Sequence, residues 1–358
     1  MRNSKKLKIA VIVGTRPNFI KLAPLIAALS KSPRFQTKII NTNQHYDRQM
    51  SDVFFKELKI KNPDYNLKIK PGTQGQQTGE IIIKLEKIYA KEKFDMVIVI
   101  GDVTSTLAGA LAAKQLHIKV AHIEAGMRSY NKEMPEEINR TLTDHMSDIL
   151  LCPTKTAADN LKKENITKNI YVVGDLMHKT LMQNIKLTKK SSILTKLKLK
   201  PKKYILLTIH RQSNTDNKTN LSNIIKAIIK SKEPTVFPIH PRTKKLLTKI
   251  KIPKTNTLKI IDPLGYIDML TLEKNAKKIL TDSGGIQKEA YWLKIPCITL
   301  RDDTEWVETV ENKWNILVGT NQNKIIKAIK NFLPQRKQKK YQIDKNTCKK
   351  ILETLSKI

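Results

Sequence analysis

The stretch Lys8-Ile9-Ala10-Val11-Ile12-Val13-Gly14-Thr15-Arg16-Pro17-Asn18 decides the fold. Lys8–Val13 is a short and almost unbroken apolar run, rich in branched side chains. Such a run reads as a strand buried on both faces, because a half-exposed strand would alternate. Gly14-Thr15 then turns the chain, and Pro17 suits the first turn of a helix whose apolar positions continue over Phe19–Leu29. A buried strand that passes directly into a helix is one βα unit.

The unit recurs along the chain. Strand-like runs follow at Thr37–Asn41, Met96–Ile100, Val120–Glu124, Ile149–Cys152 and Ile170–Val173, separated by helical patterns at Thr78–Ala90, Ser105–Leu116 and Glu136–Met146. A Lys/Leu-rich segment from Met177 to Lys203 carries no strand. The alternation restarts with Tyr204–Ile209, Thr235–Ile239, Leu258–Ile261, Lys278–Thr281, Cys297–Leu300 and Asn315–Val318. Helical patterns lie over Leu221–Ile229, Thr243–Ile250, Tyr266–Lys274, Ile286–Trp292 and Lys324–Phe332. The expected fold is α/β, with two Rossmann-like doubly wound domains around a cleft. The first spans 1–175 and the second 176–340. The polar run Gln335–Lys340 reads as a connector, and the last segment, 341–358, as a helix packing back on the first domain.

Composition bounds the function. The chain has 358 residues, 67 Lys+Arg, 32 Asp+Glu and a formal net charge of +35. Only 10 of the 67 cations are arginine, and the lysines are spread from Lys5 to Lys357 at helix-surface spacing. Aromatic residues amount to 5%, too few for the stacking platforms of nucleic-acid binders. The charge therefore reads as a solvated surface, with no nucleic-acid partner. The longest early apolar run, Leu7–Val13, is far short of the ~20 residues a spanning helix needs. Arg16 follows it at once without a cleavage signal, so the reading is a cytoplasmic protein with no membrane insertion. Cys152, Cys297 and Cys348 have no disulfide or metal spacing.

Ligands of such sheets bind at the carboxyl ends of the strands. There the first strand offers one glycine and a cation, Gly14-Thr15-Arg16, with Lys21 a helical turn on, where a dinucleotide fold would want G-x-G-x-x-G. That argues against NAD or FAD and for an anion at a helix start. Asp102 follows Met96–Ile100, as a helix cap or a functional carboxylate. Glu124 follows an apolar run, where a carboxylate is rare unless paired or functional, and Arg128 is a candidate partner. Glu136 and Glu137 suit the first turn after Pro135, and Glu136 can pair with Arg140 at i,i+4. In the second half His210 and His240 end equivalent strands, with no metal-binding spacing around them. Thr281-Asp282-Ser283-Gly284-Gly285-Ile286-Gln287-Lys288-Glu289 holds the chain's only Gly-Gly pair. Ser283 and the bare amides of Gly284 and Gly285 at a strand-to-helix junction suit a diphosphate, with Glu289 within reach of a ribose.

In their joint order these blocks resemble the non-hydrolysing UDP-N-acetylglucosamine 2-epimerases over nearly the entire chain. The matching blocks are GTRP with Lys21, NQHY at 43–46, Gly101-Asp102, HIEAGMRS at 122–129 and MPEEINR at 134–140. They continue with His210-Arg211, FPIHPR at 237–242, TDSGGIQKEA at 281–290 and RDDTEWVE at 301–308. The resemblance implies a glycosyltransferase-B-like fold, a homodimer, a UDP-sugar substrate and no cofactor or metal. It places Arg16, His210, Ser283, Gly284 and Gly285 at the diphosphate, Glu289 at the ribose, and Pro263–Met269 around the uracil. Asp102, Glu124 and Glu136 would flank the sugar, supported by Lys21, Arg140 and His240, with His210 counted among the catalytic groups. Asn18 stands where many members have Glu, and Trp306 where UDP-N-acetylglucosamine enzymes often have Arg. Trp306 admits the same reaction on UDP-2,3-diacetamido-2,3-dideoxyglucuronate. Gln44–Asp47 departs from the pattern linked to allosteric activation in some members. A glycosyltransferase on the same fold and a polyanion-binding protein are the readings from other classes.

Overall fold

Parallel strands and helices alternate along the chain, as the buried runs require. The computed structural model describes residues 6–43, 48–250, 252–253, 255–334 and 346–357. The segment Gln44–Asp47, the expected connector Gln335–Lys340 and positions 341–345 of the expected last helix lie outside the described residues. Contacts divide the chain into two units, Met1–Thr180 with Ile343–Ile358, and Leu181–Gln342.

In the first unit the strands are β1 (Leu7–Val13), β2 (Phe35–Asn41), β3 (Tyr65–Asn66), β4 (Met96–Ile100), β5 (Lys119–Ile123), β6 (Ile149–Cys152) and β7 (Ile170–Val172). They form one sheet in the order β3-β2-β1-β4-β5-β6-β7, and every pairing is parallel. Chain order reverses between β1 and β4, which makes their carboxyl ends the topological switch point. One face of the sheet, through Ala10, Ile12, Val97 and Val99, packs on Ile81, Leu85, Tyr89 and Ala108 of the helices Gln74–Glu92 and Thr104–Gln115. The C-terminal helix Thr347–Leu355 lies against the helix Arg16–Lys31, where the Cys348 thiol reaches the Pro24 carbonyl at 3.5 Å.

The second unit holds β8 (Ile205–Thr208), β9 (Thr235–Pro238), β10 (Leu258–Ile261), β11 (Lys278–Thr281), β12 (Cys297–Thr299) and β13 (Asn315–Leu317). Their order is β10-β9-β8-β11-β12-β13, again all parallel, with the switch point between β8 and β11. Alternate residues serve opposite faces. Leu206, Val236, Ile279 and Cys297 pack with Tyr204, Leu272 and Ala290. Leu207, Phe237, Leu280 and Ile298 pack with Leu221, Ile225 and Ile325 of the helices Lys218–Ser231 and Gln322–Asn331. The doubly wound α/β architecture expected from the apolar runs is therefore present in both units.

The differences are local. The strand expected to include Glu124 stops at Ile123, because Glu124 turns into the left-handed region with φ 73°. The two-residue strand β3 and the helix Lys155–Lys163 carried too little apolar pattern to be read. The Lys/Leu-rich segment contains the helices Leu176–Asn184 and Ile193–Lys196 with a 3-10 turn between them.

Glu92 ties three strands of the first sheet together. Its carboxylate pairs with Lys8 of β1 (2.7 Å) and Lys38 of β2 (3.0 Å), and accepts from the Tyr65 hydroxyl of β3. These partners, Lys8 foremost, hold the Glu92 carboxyl at about 2, down from 4.5. A depressed carboxyl stabilises the fold above its unfolded-state value and ceases to do so as pH falls through the folded value. Glu92→Gln is therefore expected to flatten the loss of stability between about pH 4.5 and pH 2, as read from urea midpoints of both proteins across that window. Leu207→Ala, in the fully buried second core, is expected to cost about 2–5 kcal/mol in the same assay at neutral pH.

Candidate active site

The register of the first sheet brings its candidate residues level. Ile12 pairs with Val99, and Ile100 with Ile123, so Gly14, Gly101 and Glu124 each stand one residue beyond their strands. Gly101 takes φ 70°, and a β-carbon there would lie 3.3 Å from both Glu124 Oε2 and Lys21 Nζ. That turn therefore needs glycine for its conformation and for its closeness to a charged pair. Lys21 donates to Glu124, and both side chains are largely buried. On the other side of Gly101, Asp102 pairs with Arg140, and its carbonyl accepts from Asn139 Nδ2 at 2.9 Å. Two carboxylate–cation pairs thus flank one glycine turn. Arg16 begins its helix with the guanidinium 4.9 Å from the Phe54 ring centre, and Glu136 stands half-buried in the first turn of Pro135–Met146.

Behind these residues lies a buried ion network. His122 is fully buried, with Nδ1 2.6 Å from Asp144 Oδ1 and Nε2 2.7 Å from the Gly101 carbonyl. Asp144 also accepts from the Gly126 N–H (3.0 Å) and from Arg128 (2.7 Å). Burial alone would raise the Asp144 carboxyl, but His122 and Arg128 hold it below its ordinary value. Arg128 forks onto both oxygens of Glu164, at 2.6 and 2.7 Å, and lowers that carboxyl too. The expected Arg128–Glu124 pair is therefore replaced. Arg128 turns inward to Asp144 and Glu164, while Lys21 takes Glu124. Arg140, read as a partner of Glu136, engages Glu137 at i,i+3 (2.9 Å) as well as Asp102. Glu137 further accepts from Ser129 N and Oγ and from Tyr130 N, at 2.9–3.0 Å, and so anchors the loop after β5.

Asn18, the departure from Glu, has a local explanation. Its side-chain oxygen accepts from Gly14 N (3.1 Å) and Thr15 N (3.2 Å), and its amide donates to the Ile100 carbonyl at 3.0 Å. It joins the ends of β1 and β4, a task that needs both a donor and an acceptor, which an ionised Glu lacks.

The second sheet repeats the device one residue further out. Thr208 pairs with Thr281, and Thr281 with Thr299, so His210, Ser283 and Arg301 each lie two residues past a paired strand end. His240 lies two residues past the end of β9. The His210 and His240 rings are 5.8 Å apart, and His240 Nδ1 accepts from Arg242 N at 3.2 Å. Asp282, fully buried, accepts from His210 N (3.1 Å), Arg211 N (3.0 Å) and Asn214 Nδ2 (3.1 Å). Burial raises the Asp282 carboxyl, and these N–H groups oppose the rise.

Ser283 caps the helix Gly284–Trp292, accepting from Ile286 N. A β-carbon on Gly284 would fall 1.9 Å from Glu305 Oε1, so any other residue here requires the Glu305 carboxylate to move. Glu305 is held by Arg301 at 3.0 Å. Trp306 is buried beside Gly284, with the Lys288 ammonium 3.9 Å from its ring centre. Glu289 accepts from the Tyr266 hydroxyl at 3.1 Å, and burial raises that phenol well above its usual range. Among the described residues, no group of three or more His, Cys, Asp or Glu could hold a metal ion, and no helix is long and apolar enough to cross a membrane.

The chain matches the family model for UDP-N-acetylglucosamine 2-epimerase over residues 27–356. A Methanococcus maripaludis protein named UDP-N-acetylglucosamine 2-epimerase homolog is 53% identical over 356 residues, covering 98% of this chain and 99% of its own. A Pseudomonas aeruginosa protein named UDP-2,3-diacetamido-2,3-dideoxy-D-glucuronate 2-epimerase is 43% identical over 334 residues, 91% of this chain and 92% of its own. Among solved structures, Methanocaldococcus jannaschii UDP-GlcNAc 2-epimerase in complex with UDP-GlcNAc and UDP superimposes with a TM-score of 0.93 at 46% identity, covering 98% of this chain and all of that one. By sequence and by fold, the chain belongs to the UDP-N-acetylglucosamine 2-epimerase family.

Proposed function

We propose that this protein catalyses the reversible conversion of UDP-N-acetylglucosamine to UDP-N-acetylmannosamine, as a cytoplasmic homodimer. The observation that carries the reading is the Gly101 turn, flanked by the Asp102–Arg140 and Glu124–Lys21 pairs at the switch point of the first sheet. The hydrogen on C2 of the sugar is not next to a carbonyl, so direct removal would leave an unstabilised carbanion. Departure of UDP from C1 builds positive charge there and acidifies C2–H. A carboxylate takes the C2 proton, the C1–O bond to UDP breaks, and a C1=C2 double bond forms, giving a 2-acetamidoglucal. Re-addition of UDP to C1 with protonation of C2 from the opposite face gives the epimer. The reaction thus needs proton-transfer groups on both faces of the ring, which Asp102, Glu124 and Glu136 supply.

The second unit serves the leaving group. Ser283 and the amides of Gly284 and Gly285 open a helix, where the dipole favours a departing diphosphate. His210 adds a donor and Glu289 takes the ribose hydroxyls, while Arg16 of the first unit is assigned to the same diphosphate and His240 to the support of Asp102, Glu124 and Glu136. A second reading, the same epimerisation on UDP-2,3-diacetamido-2,3-dideoxyglucuronate, is favoured by Lys288. Its ammonium over the Trp306 ring puts a cation beside the residue that departs from the Arg pattern, as a uronate would need.

In heavy water the product is expected to carry one deuterium at C2 by proton NMR; epimer formed with an unlabelled C2 would exclude the elimination route. Turnover of the two nucleotide sugars side by side separates the two readings. Glu124→Gln is expected to lower kcat by about 10²–10⁴-fold, the usual worth of general acid–base help, while thermal unfolding is retained. His210→Ala is expected to cost about 10²-fold or more in kcat through the leaving group, and near-normal turnover removes it from the mechanism.

A further inference from the structure

We infer that His122 is a positioning residue that carries protons on both ring nitrogens and, with Asp144, clamps the backbone that presents Asp102 and Glu124. The inference rests on the epimerase reading for its effect on catalysis, but its structural half stands alone. Both ring nitrogens face acceptors: the Gly101 carbonyl at 2.7 Å, which can only accept, and the Asp144 carboxylate at 2.6 Å. Asp144 is itself an acceptor for the Gly126 N–H and for Arg128, so it acts as a carboxylate. A neutral imidazole has one N–H and could satisfy only one of the two contacts.

Charge gives the same answer. Asp144 and Glu164 are two anions joined by the single cation Arg128. With no exposed surface on His122, a net negative charge left there would be costly, and an imidazolium balances the chain of four. The other titratable groups facing this chain are few. His145, half-exposed, reaches Glu164 at 3.4 Å on the solvent side. The buried Cys152 thiol lies near Asp144 and Arg128, and burial opposes its ionisation.

The clamp has a specific object. Gly101, Glu124 and Gly126 all take left-handed backbone, with φ of 70°, 73° and 77°. For Glu124, a residue with a side chain, that conformation is strained and persists only where neighbours enforce it. His122 precedes Glu124 by two residues and Gly126 follows it by two, and both are tied to Asp144. The other ring nitrogen holds the carbonyl of Gly101, the residue before Asp102. One ion pair thus fixes the backbone under both carboxylates without touching either.

The test uses the full chain labelled with ¹⁵N-histidine, with His122→Gln to assign its signals among the seven histidines. Both ring nitrogens of His122 are expected to be protonated at about pH 7; a neutral tautomer would overturn the inference, whatever the activity. His122→Gln is expected to lower kcat by about 10–10²-fold, the scale of a small misplacement of reacting groups, with KM for the UDP-sugar changed by about twofold or less. A folded variant with unchanged kcat, or one with only KM raised, overturns the positioning role. Amide exchange at Gly101 and Glu124 reports the clamp without turnover: faster exchange in the variant supports it, and unchanged exchange refutes it. If the wild-type protein turns over no UDP-sugar, the epimerase reading fails while the nitrogen spectra and the exchange still decide the clamp.

Discussion

In a parallel sheet every strand delivers its carboxyl end to the same edge, and the register decides which side chains stand there together. This constraint governs both halves of the molecule. In the first sheet the in-step pairing of β1, β4 and β5 puts Gly14, Gly101 and Glu124 on one level. In the second, β8, β11 and β12 pair so that His210, Ser283 and Arg301 share a level one step further out. The strands are in step along runs whose side chains are mostly apolar and buried on both faces. Polar residues such as His122, Thr208 and Thr281 already occupy paired positions beside these ends.

Much of this was legible from the chain alone. Continuous runs such as Met96–Ile100 can be nothing but buried strands when helical patterns lie on either side, and the polar residues that follow them are strand-end residues by necessity. What could not be read was which of them meet. Glu124 and Arg128 are close in sequence, yet the loop after Gly126 carries the guanidinium inward to Asp144, and Lys21, about a hundred residues away, reaches the carboxylate. Glu137 looked like a helix-dipole residue no different from Glu136, because only the folded loop shows that Ser129 and Tyr130 donate to it. His122 read as part of a strand, Asp282 stood in the TDSGGIQKEA block without a role of its own, and Asp144 carried no signal. Their partners lie on other elements, so neither spacing nor local propensity points to them. The departure at Asn18 was visible, but its reason depends on the Ile100 carbonyl of a strand it does not adjoin in sequence.

The net charge of +35 divides by residue type once the side chains are placed. Arginine supplies most of the multiply bonded buried cations. Arg128 grips one carboxylate with a fork and a second with a single bond, Arg140 joins two acids, and Arg301 joins Asp303 and Glu305. A planar guanidinium can satisfy several acceptors in fixed directions without losing its charge, which an ammonium on a flexible stem does less well. Lysines such as Lys61, Lys162 and Lys244 make exposed pairs of the kind that contribute little to stability. Buried lysines occur too: Lys21 on Glu124, Lys288 between the Trp292 and Trp306 rings, and Lys278 at the start of β11, which donates to the Ala328 and Ile329 carbonyls.

The shared level of His210, Ser283 and Arg301 has a consequence for how such a chain can change over time. Each residue is placed by counting from the last paired residue of its own strand, so a deletion of one residue at that edge withdraws one group while its neighbours stay in place. A deletion there is a different kind of lesion from a substitution, since no choice of side chain restores the missing step. At the opposite edge, where helices return to the amino ends of the strands, added or lost residues leave the count untouched. Between each paired strand end and its group the count is therefore fixed by geometry, while the loops at the opposite edge carry no such constraint.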